Sequence, residues 1–428
     1  MNTAPRKSPE DVSWGTVRPS RTCGGKKNHK TSTRLLQRRG TNSALDSREP
    51  VLDGIRGLAI LAVLWHHLVT CSGLEPAVRL DHHLWRTGLW GWVGVDLFFV
   101  LSGFLITGIL YDSRSSGRYY FNFFGRRALR ILPLYYGVLA LAFLVVPFFL
   151  EPRSAEALTR DQAWYWLYLI NVKFAFDGWP TPAYLGHFWS LAIEEQFYLI
   201  WPLVVRMLSR RRLLLVCVVC FLAALGLRVL LSAWLPNLAV YVLMPTRMDA
   251  LAAGAALALI ARGERGLRVL GPWPAVVAAL FIAAALYVYV WKKDDVSTLD
   301  PLIRTLGFSV LALGFAAVIA VGLTSRPGSM VQRSLTSVPL SVLGKYSYAL
   351  YVFHQPVMLF MKDLGLQVDL APTVFGSQLP GFLLFIAVAG TLSFACALLS
   401  WRFIEAPMLR LKRHLVSTQV APGRERQG

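Results

Sequence analysis

An arginine and a histidine lie eleven residues apart in an otherwise apolar stretch, LDGIRGLAILAVLWHH, at residues 52–67. In an α-helix this spacing puts Arg56 and His67 on nearly the same face, about 16 Å apart along the axis. Ionisable groups inside a membrane are costly and usually mark function. A histidine at such a position can act as a general base. The alternatives are that Arg56 anchors the end of a span and that His67 is an interfacial histidine bonded to a neighbour.

Three further arginines, Arg126, Arg127 and Arg130, occur in the segment FFGRRALRILP, just before another apolar run. Arginine binds phosphate through two parallel hydrogen bonds, so this group suits the phosphates of a cytosolic donor. The alternative is that these charges only set the topology of the chain in the membrane.

Two adjacent carboxylates, Glu194 and Glu195, lie inside the apolar segment HFWSLAIEEQFYLIWP. His187, Ser190 and Glu194 share one helical face, because they are spaced i, i+3 and i+7. We predict a catalytic role for Glu194, which would orient His67 or a nearby donor. The alternative is a polar contact between helices.

Other polar residues inside apolar runs are candidates for a polar pocket. In YSYALYVFHQPV, Ser347, Tyr351 and His354 share one helical face. The segment RMDALAAG adds an arginine and an aspartate, and another aspartate follows GWVGV. The residues predicted to shape this pocket are Asp96, Ser190, Arg247, Asp249 and His354.

The elements that position these residues are predicted to be membrane-spanning helices. The chain has 428 residues, of which 55% are hydrophobic, and apolar runs of about 20 residues recur along it. We expect an all-α polytopic membrane protein with about ten spans. The predicted spans are 51–70, 90–110, 131–150, 187–206, 212–234, 238–261, 270–291, 302–324, 341–361 and 381–404.

The distribution of charge predicts how these spans are oriented. With the N-terminus in the cytoplasm, cytoplasmic segments hold 31 of the 44 Lys and Arg residues, and external segments hold 8. This positive-inside bias indicates cytoplasmic termini and a location in the cell membrane, with basic loops that suit anionic lipid. The net charge of +20 therefore does not indicate a nucleic-acid partner.

Three regions are predicted: a basic, disordered cytoplasmic tail (1–49), a transmembrane domain (50–408) and a second basic cytoplasmic tail (409–428). Cys217 and Cys220 form a single CxxC pair inside an apolar span, so no metal site is expected. The chain lacks a GxSxG elbow and a P-loop, which gives soluble-type hydrolase or nucleotide-hydrolysing chemistry no support.

Seven segments together resemble the integral-membrane acyltransferase 3 family, and they occur in the family's order across residues 51–408. They are LDGIRGLAILAVLWHH, GWVGVDLFFVLSGFLIT, FFGRRALRILPLYY, HFWSLAIEEQFYLIWP, RMDALAAG, YSYALYVFHQPV and WRFIEAP. The resemblance implies that the family's first-span histidine and arginine fall on His67 and Arg56. The arginine motif of the third span falls on Arg127 and Arg130. His66 takes a place often held by an aromatic residue.

The resemblance implies acyl transfer from cytosolic acyl-CoA, a co-substrate rather than a bound cofactor, to a hydroxyl of a glycan or of a secondary metabolite such as a macrolide. Arg56 and the three arginines of the third span would bind acyl-CoA, and His67 would deprotonate the acceptor. The predicted polar pocket of Asp96, Ser190, Arg247, Asp249 and His354 would then be the acceptor pocket. Some relatives carry an added esterase-like domain, and its absence before residue 428 favours direct transfer. The Ala-, Leu- and Arg-rich composition suggests a bacterium. The alternatives are a proton-coupled exporter of a glycan or metabolite and a non-enzymatic membrane scaffold.

Overall fold

The computed structural model describes residues 49–149, 152–181, 183–291 and 300–416. The predicted N-terminal tail lies outside the described residues except for Glu49, and the predicted C-terminal tail lies outside them beyond Val416. The described segments are almost entirely helical and contain no β-strand, which confirms the predicted all-α class.

Seventeen α-helices follow one another along the described chain, and several are extended by short 3-10 or π turns. Their bounds are α1 Glu49–Cys71, α2 Arg79–Leu89, α3 Val93–Ser113, α4 Tyr119–Ala140, α5 Pro152–Thr159, α6 Gln162–Trp166, α7 Ile170–Asp177, α8 Phe188–Met207, α9 Arg210–Leu231, α10 Asn237–Val242, α11 Met244–Ala261, α12 Trp273–Trp291, α13 Phe308–Thr324, α14 Met330–Leu335, α15 Val338–Asp363, α16 Leu379–Ser400 and α17 Ala406–Val416.

Eight helical segments of the described chain are long and apolar enough to cross a membrane. Helices α8 and α15, of 20 and 26 residues, fall on the other two predicted spans. They are less apolar because they carry carboxylate, hydroxyl and histidine side chains that face other helices rather than lipid. Helices therefore occupy all ten predicted spans, and the chain is a polytopic membrane protein.

Helices α1 and α15 run parallel to each other. Near their first residues, the backbone of Asp53 packs directly against Gly344, and farther along His67 contacts His354. These helices contain the first and ninth predicted spans, which should both run outward if the chain alternates. The contacts therefore agree with the predicted alternation.

Helices α3 and α11, which contain the second and sixth predicted spans, also run parallel. Asp96 pairs with Arg247 near their first turns, and Gly103 packs against the backbone of Leu251 farther along. Since the glycine lacks a side chain, the two backbones can approach closely. Both parallel pairs join spans of the same predicted direction.

The third span begins earlier than predicted. Helix α4 starts at Tyr119, whereas the predicted span began at residue 131, with the preceding arginines at its cytoplasmic mouth. The arginines therefore lie within the helix. Charged residues usually mark the end of an apolar run, but here Arg127 and Arg130 continue the helix and line a cavity.

The sixth span is interrupted at Leu243, whose extended backbone (φ −79°, ψ 139°) separates α10 from α11. Pro245 follows at the start of α11, where its missing N–H causes no loss. The break leaves the carbonyl of Val242 free to accept a hydrogen bond from Asn171 Nδ2 at 3.2 Å. This bond ties an outer helix, α7, to the membrane domain.

Candidate active site

A cavity of about 150 Å³ lies between helices α1, α3, α4, α8 and α15. Arg56, Arg127 and Arg130 line one end of it, and the side chain of Arg130 is exposed. The lining follows α3 from Val95 to Ile109, which corresponds to roughly 21 Å of helix axis. The cavity is therefore elongated, and its arginine end lies on the predicted cytoplasmic side.

The arginine end combines residues that are far apart in the sequence. Arg56 forms an ion pair with Asp53, one turn earlier in α1. The guanidinium of Arg127 lies 3.8 Å from the centroid of the Tyr198 ring, a cation–π contact. Arg126, the third member of the predicted phosphate clamp, is half-buried and does not line the cavity.

The two carboxylates of α8 line the middle of the cavity. Glu194 Oε1 accepts a hydrogen bond from Ser102 Oγ at 2.6 Å, and its Oε2 accepts one from the hydroxyl of Tyr198 at 3.0 Å. Glu194 was predicted to orient His67 or a nearby donor, and its carboxylate contacts two donors, Ser102 and Tyr198, in the cavity lining. Glu195 lies beside it in the lining.

Two hydroxyl groups close the other end of the cavity. Ser190 Oγ lies 2.5 Å from the hydroxyl of Tyr351, and that hydroxyl donates to the carbonyl of His187 at 2.9 Å. Ser190, predicted as an acceptor-pocket residue, therefore lies where the cavity ends. The two residues come from α8 and α15, so the packing of these helices creates the pair.

A cluster of histidines lies behind this hydroxyl pair. His67 Nδ1 is 3.2 Å from His354 Nε2, and the rings of His354 and His187 are 4.9 Å apart. The ring of His187 also lies 5.2 Å from that of Tyr351. His67 is half-buried and does not itself line the cavity. The rings of His354, His187 and Tyr351 therefore lie between His67, the predicted base, and the end of the cavity.

Three residues predicted for the acceptor pocket lie elsewhere. Asp96 pairs with Arg247 at 2.6 Å, and Asp249 pairs with Arg228 at 2.7 Å, with all four side chains buried. Ser309 also bonds Asp249 at 2.9 Å. Buried charges need partners, and here each carboxylate pairs with an arginine, while Asp96 Oδ2 and Arg247 Nε and Nη1 have no hydrogen-bond partner among the described residues. Because none of the three predicted residues lines the cavity, the geometry favours a structural role for these ion pairs over the predicted role in binding the acceptor.

Sequence reasoning did not single out two of the polar residues that shape the cavity. Tyr198 contacts both a carboxylate and an arginine. It could have been identified from the sequence, because it lies four residues after Glu194 and therefore on the same helical face. Tyr348 lines the cavity and donates to the carbonyl of Ile131 at 2.8 Å. Among the described residues, no group of three or more His, Cys, Asp or Glu side chains is arranged to hold a metal ion.

Comparison with known proteins supports the resemblance. A profile described as an acyltransferase domain (Acyl_transf_3) matches residues 49–402. A peptidoglycan O-acetyltransferase OatA from Listeria monocytogenes is 30% identical over 379 residues, which cover 84% of this chain and 55% of that protein. A putative peptidoglycan O-acetyltransferase YrhL from Bacillus subtilis is 32% identical over 378 residues, with 84% and 54% covered.

An O-acetyltransferase OatA from Staphylococcus aureus is 28% identical over 381 residues, which cover 84% of this chain and 57% of that protein. The chain thus spans a little more than half the length of these relatives. No solved structure matches it significantly. The relatives are bacterial, as predicted for this membrane protein. Because the profile covers most of the chain and the segments that carry the site, the chain belongs to the integral-membrane acyltransferase 3 family.

Proposed function

We propose that this protein transfers an acyl group from acyl-CoA to a hydroxyl of an acceptor that reaches it from the outer side. The observation that carries the proposal is the elongated cavity, which extends from three arginines on the predicted cytoplasmic side to the hydroxyl groups of Ser190 and Tyr351, behind which the histidines lie. Membership of the acyltransferase family supports the same chemistry.

The donor enters at the arginine end. The guanidinium groups of Arg56, Arg127 and Arg130 bind its phosphates, because arginine suits phosphate in charge and in geometry. The extended thioester arm follows the cavity along α3 toward Ser190 and Tyr351. Glu194 and Glu195 face the same space, so they balance the arginine charge before the donor binds.

Transfer takes place at the outer end of the cavity. His67 accepts the proton of the acceptor hydroxyl as the hydroxyl oxygen attacks the thioester carbonyl carbon. The new C–O bond forms, the C–S bond breaks, and the departing thiolate takes the proton from His67, which gives free CoA and restores the neutral base. Because Ser190 and Tyr351 separate the cavity from the histidines, the Tyr351 ring must move aside as the thioester arrives.

The acceptor is an envelope glycan, and the acyl group is acetyl or another short chain. The names of the relatives specify peptidoglycan and acetyl transfer. The outer end of the cavity is closed by Ser190 and Tyr351, which favours a short chain. A secondary metabolite such as a macrolide is the second candidate acceptor, since its hydroxyl groups offer the same chemistry.

The test measures CoA release by purified protein from a panel of acyl-CoAs, with peptidoglycan fragments, other envelope glycans and macrolides as acceptors. We expect wild type and His83→Ala, which replaces an exposed histidine of α2, to release CoA. We expect His67→Ala to bind acyl-CoA with unchanged affinity and to release CoA at least a hundredfold more slowly.

A folded His67→Ala protein with wild-type turnover would overturn the assignment of the base. Flux of a glycan or metabolite through proteoliposomes without consumption of acyl-CoA would favour a proton-coupled exporter instead. Wild-type behaviour after neutral replacement of Arg56, His67 and Glu194 together would favour a scaffold.

A further inference from the structure

His354 is fully buried in α15, and its contacts determine which ring nitrogen carries the proton. Its Nδ1 lies 2.7 Å from the carbonyl oxygen of Tyr351 and 3.0 Å from that of Leu350. A carbonyl oxygen only accepts hydrogen bonds, so Nδ1 of His354 must be the N–H donor. In a neutral ring, Nε2 then carries the lone pair.

That lone pair faces His67. His354 Nε2 lies 3.2 Å from His67 Nδ1, and the carbonyl oxygen of Val63 lies 3.1 Å from the same atom. Both neighbours accept, so His67 Nδ1 must carry hydrogen. The lone pair of His67 is therefore on Nε2, the nitrogen that remains for an acceptor hydroxyl.

We propose that His354 is a positioning residue that holds His67 in its basic Nε2 form, rather than a residue of the acceptor pocket. When His67 gains a proton at Nε2, its Nδ1–H bond to the neutral His354 becomes charge-assisted and stabilises the cation. The bond forms because α1 and α15 run parallel and in contact. This inference rests on the proposed function of His67 as a base.

The other histidines nearby do not make this contact. His66 Nδ1 bonds the carbonyl of Gly88 at 3.0 Å, and its ring meets that of His67 at 5.0 Å in an edge-to-face arrangement. Neither ring nitrogen of His187 has a hydrogen-bond partner among the described residues. The geometry therefore assigns the positioning role to His354.

The test compares His354→Gln, His354→Phe and His354→Leu with wild type. The amide oxygen of glutamine can accept from His67 Nδ1 in place of the imidazole nitrogen, whereas phenylalanine and leucine offer no acceptor. We expect kcat to fall about 10–100-fold in the Phe and Leu variants, with KM for acyl-CoA unchanged. We expect His354→Gln to recover most of kcat.

A second readout does not depend on turnover. Diethyl pyrocarbonate acylates an unprotonated imidazole nitrogen, and mass spectrometry gives the rate at His67 relative to exposed His83. We expect this relative rate to fall several-fold in His354→Phe and to recover in His354→Gln. Gln355→Met is a buried change in the same turn, at a residue that donates to the carbonyl of Ala183, and it measures the effect of altering α15 itself.

The proposal is overturned if the Phe and Leu variants bind acyl-CoA but keep wild-type kcat and wild-type His67 reactivity. It is also overturned if His354→Gln and His354→Phe lose kcat equally, because the effect would then come from packing. If wild type itself releases no CoA with any acceptor, the proposed function fails, and the relative reactivity of His67 still decides the role of His354.

Discussion

The guanidinium of Arg127 lies against the face of the Tyr198 ring. This contact fixes the orientation of the guanidinium plane and leaves its N–H edge free. Its Nε has no hydrogen-bond partner among the described residues. A planar group held in this way loses little freedom when it binds a phosphate. At the scale of single residues, this contact makes Arg127 the strongest candidate for recognising the donor.

Arg127→Gln should weaken binding of CoA about tenfold or more, because a hydrogen-bonded charge pair with phosphate is lost. Arg206→Gln is the matched control: its side chain contacts the backbone of Arg114 on the same predicted side, and it does not line the cavity. Isothermal titration with CoA and with pantetheine measures the effect. An equal loss of affinity for both ligands would show that Arg127 does not bind the phosphates.

At the scale of elements, close helix pairs depend on glycine. A Cβ on Gly103 would lie 2.0 Å from the carbonyl oxygen of Leu251, whereas a Cβ on Gly226 of α9 would meet nothing within 4 Å. Gly103→Ala should therefore destabilise the protein by about 1–3 kcal/mol. Gly226→Ala should be neutral or stabilising by up to about 1 kcal/mol. Thermal unfolding in detergent compares them, and similar shifts for the two would contradict the close packing of α3 on α11.

The ion pair between Asp96 of α3 and Arg247 of α11 allows a second test at this scale. Asp96→Leu or Arg247→Met alone should cost about 3–5 kcal/mol, because each leaves a buried charge unpaired. The double variant should recover part of this loss. If the pair is structural, the folded double variant should also release CoA at a rate within a few-fold of wild type. A stable double variant that binds acyl-CoA but no acceptor would restore the acceptor-pocket role.

At the scale of the whole molecule, the alternating direction of the helices determines which residues are accessible from each side of the membrane. In a cysteine-free background, single cysteines at the exposed positions of His83 and Phe375 should react with a membrane-impermeant maleimide added outside intact cells. Cysteines in place of Arg211 and Arg265, also exposed, should react only after the membrane is opened. Labelling of all four from outside would contradict the predicted orientation.

The sequence by itself determined the class of the protein. Apolar runs must become helices in a membrane, since their backbone groups find partners only within the segment. The number of spans follows from these runs, and the positions of Lys and Arg predict their direction. The three arginines that line the cavity and the proposed base were identified from the same pattern, because ionisable groups inside apolar runs stand out.

Tertiary structure decided which of these polar residues act together. Asp96, Ser190 and His354 look alike in the sequence, as polar residues inside apolar spans. Packing gives Asp96 an arginine partner, places Ser190 at the end of the cavity and puts His354 against His67. These contacts join helices that are up to 287 residues apart in the chain, so no local spacing encodes them. The physical reason is that a buried polar group must find a partner, and the fold determines which partners are within reach.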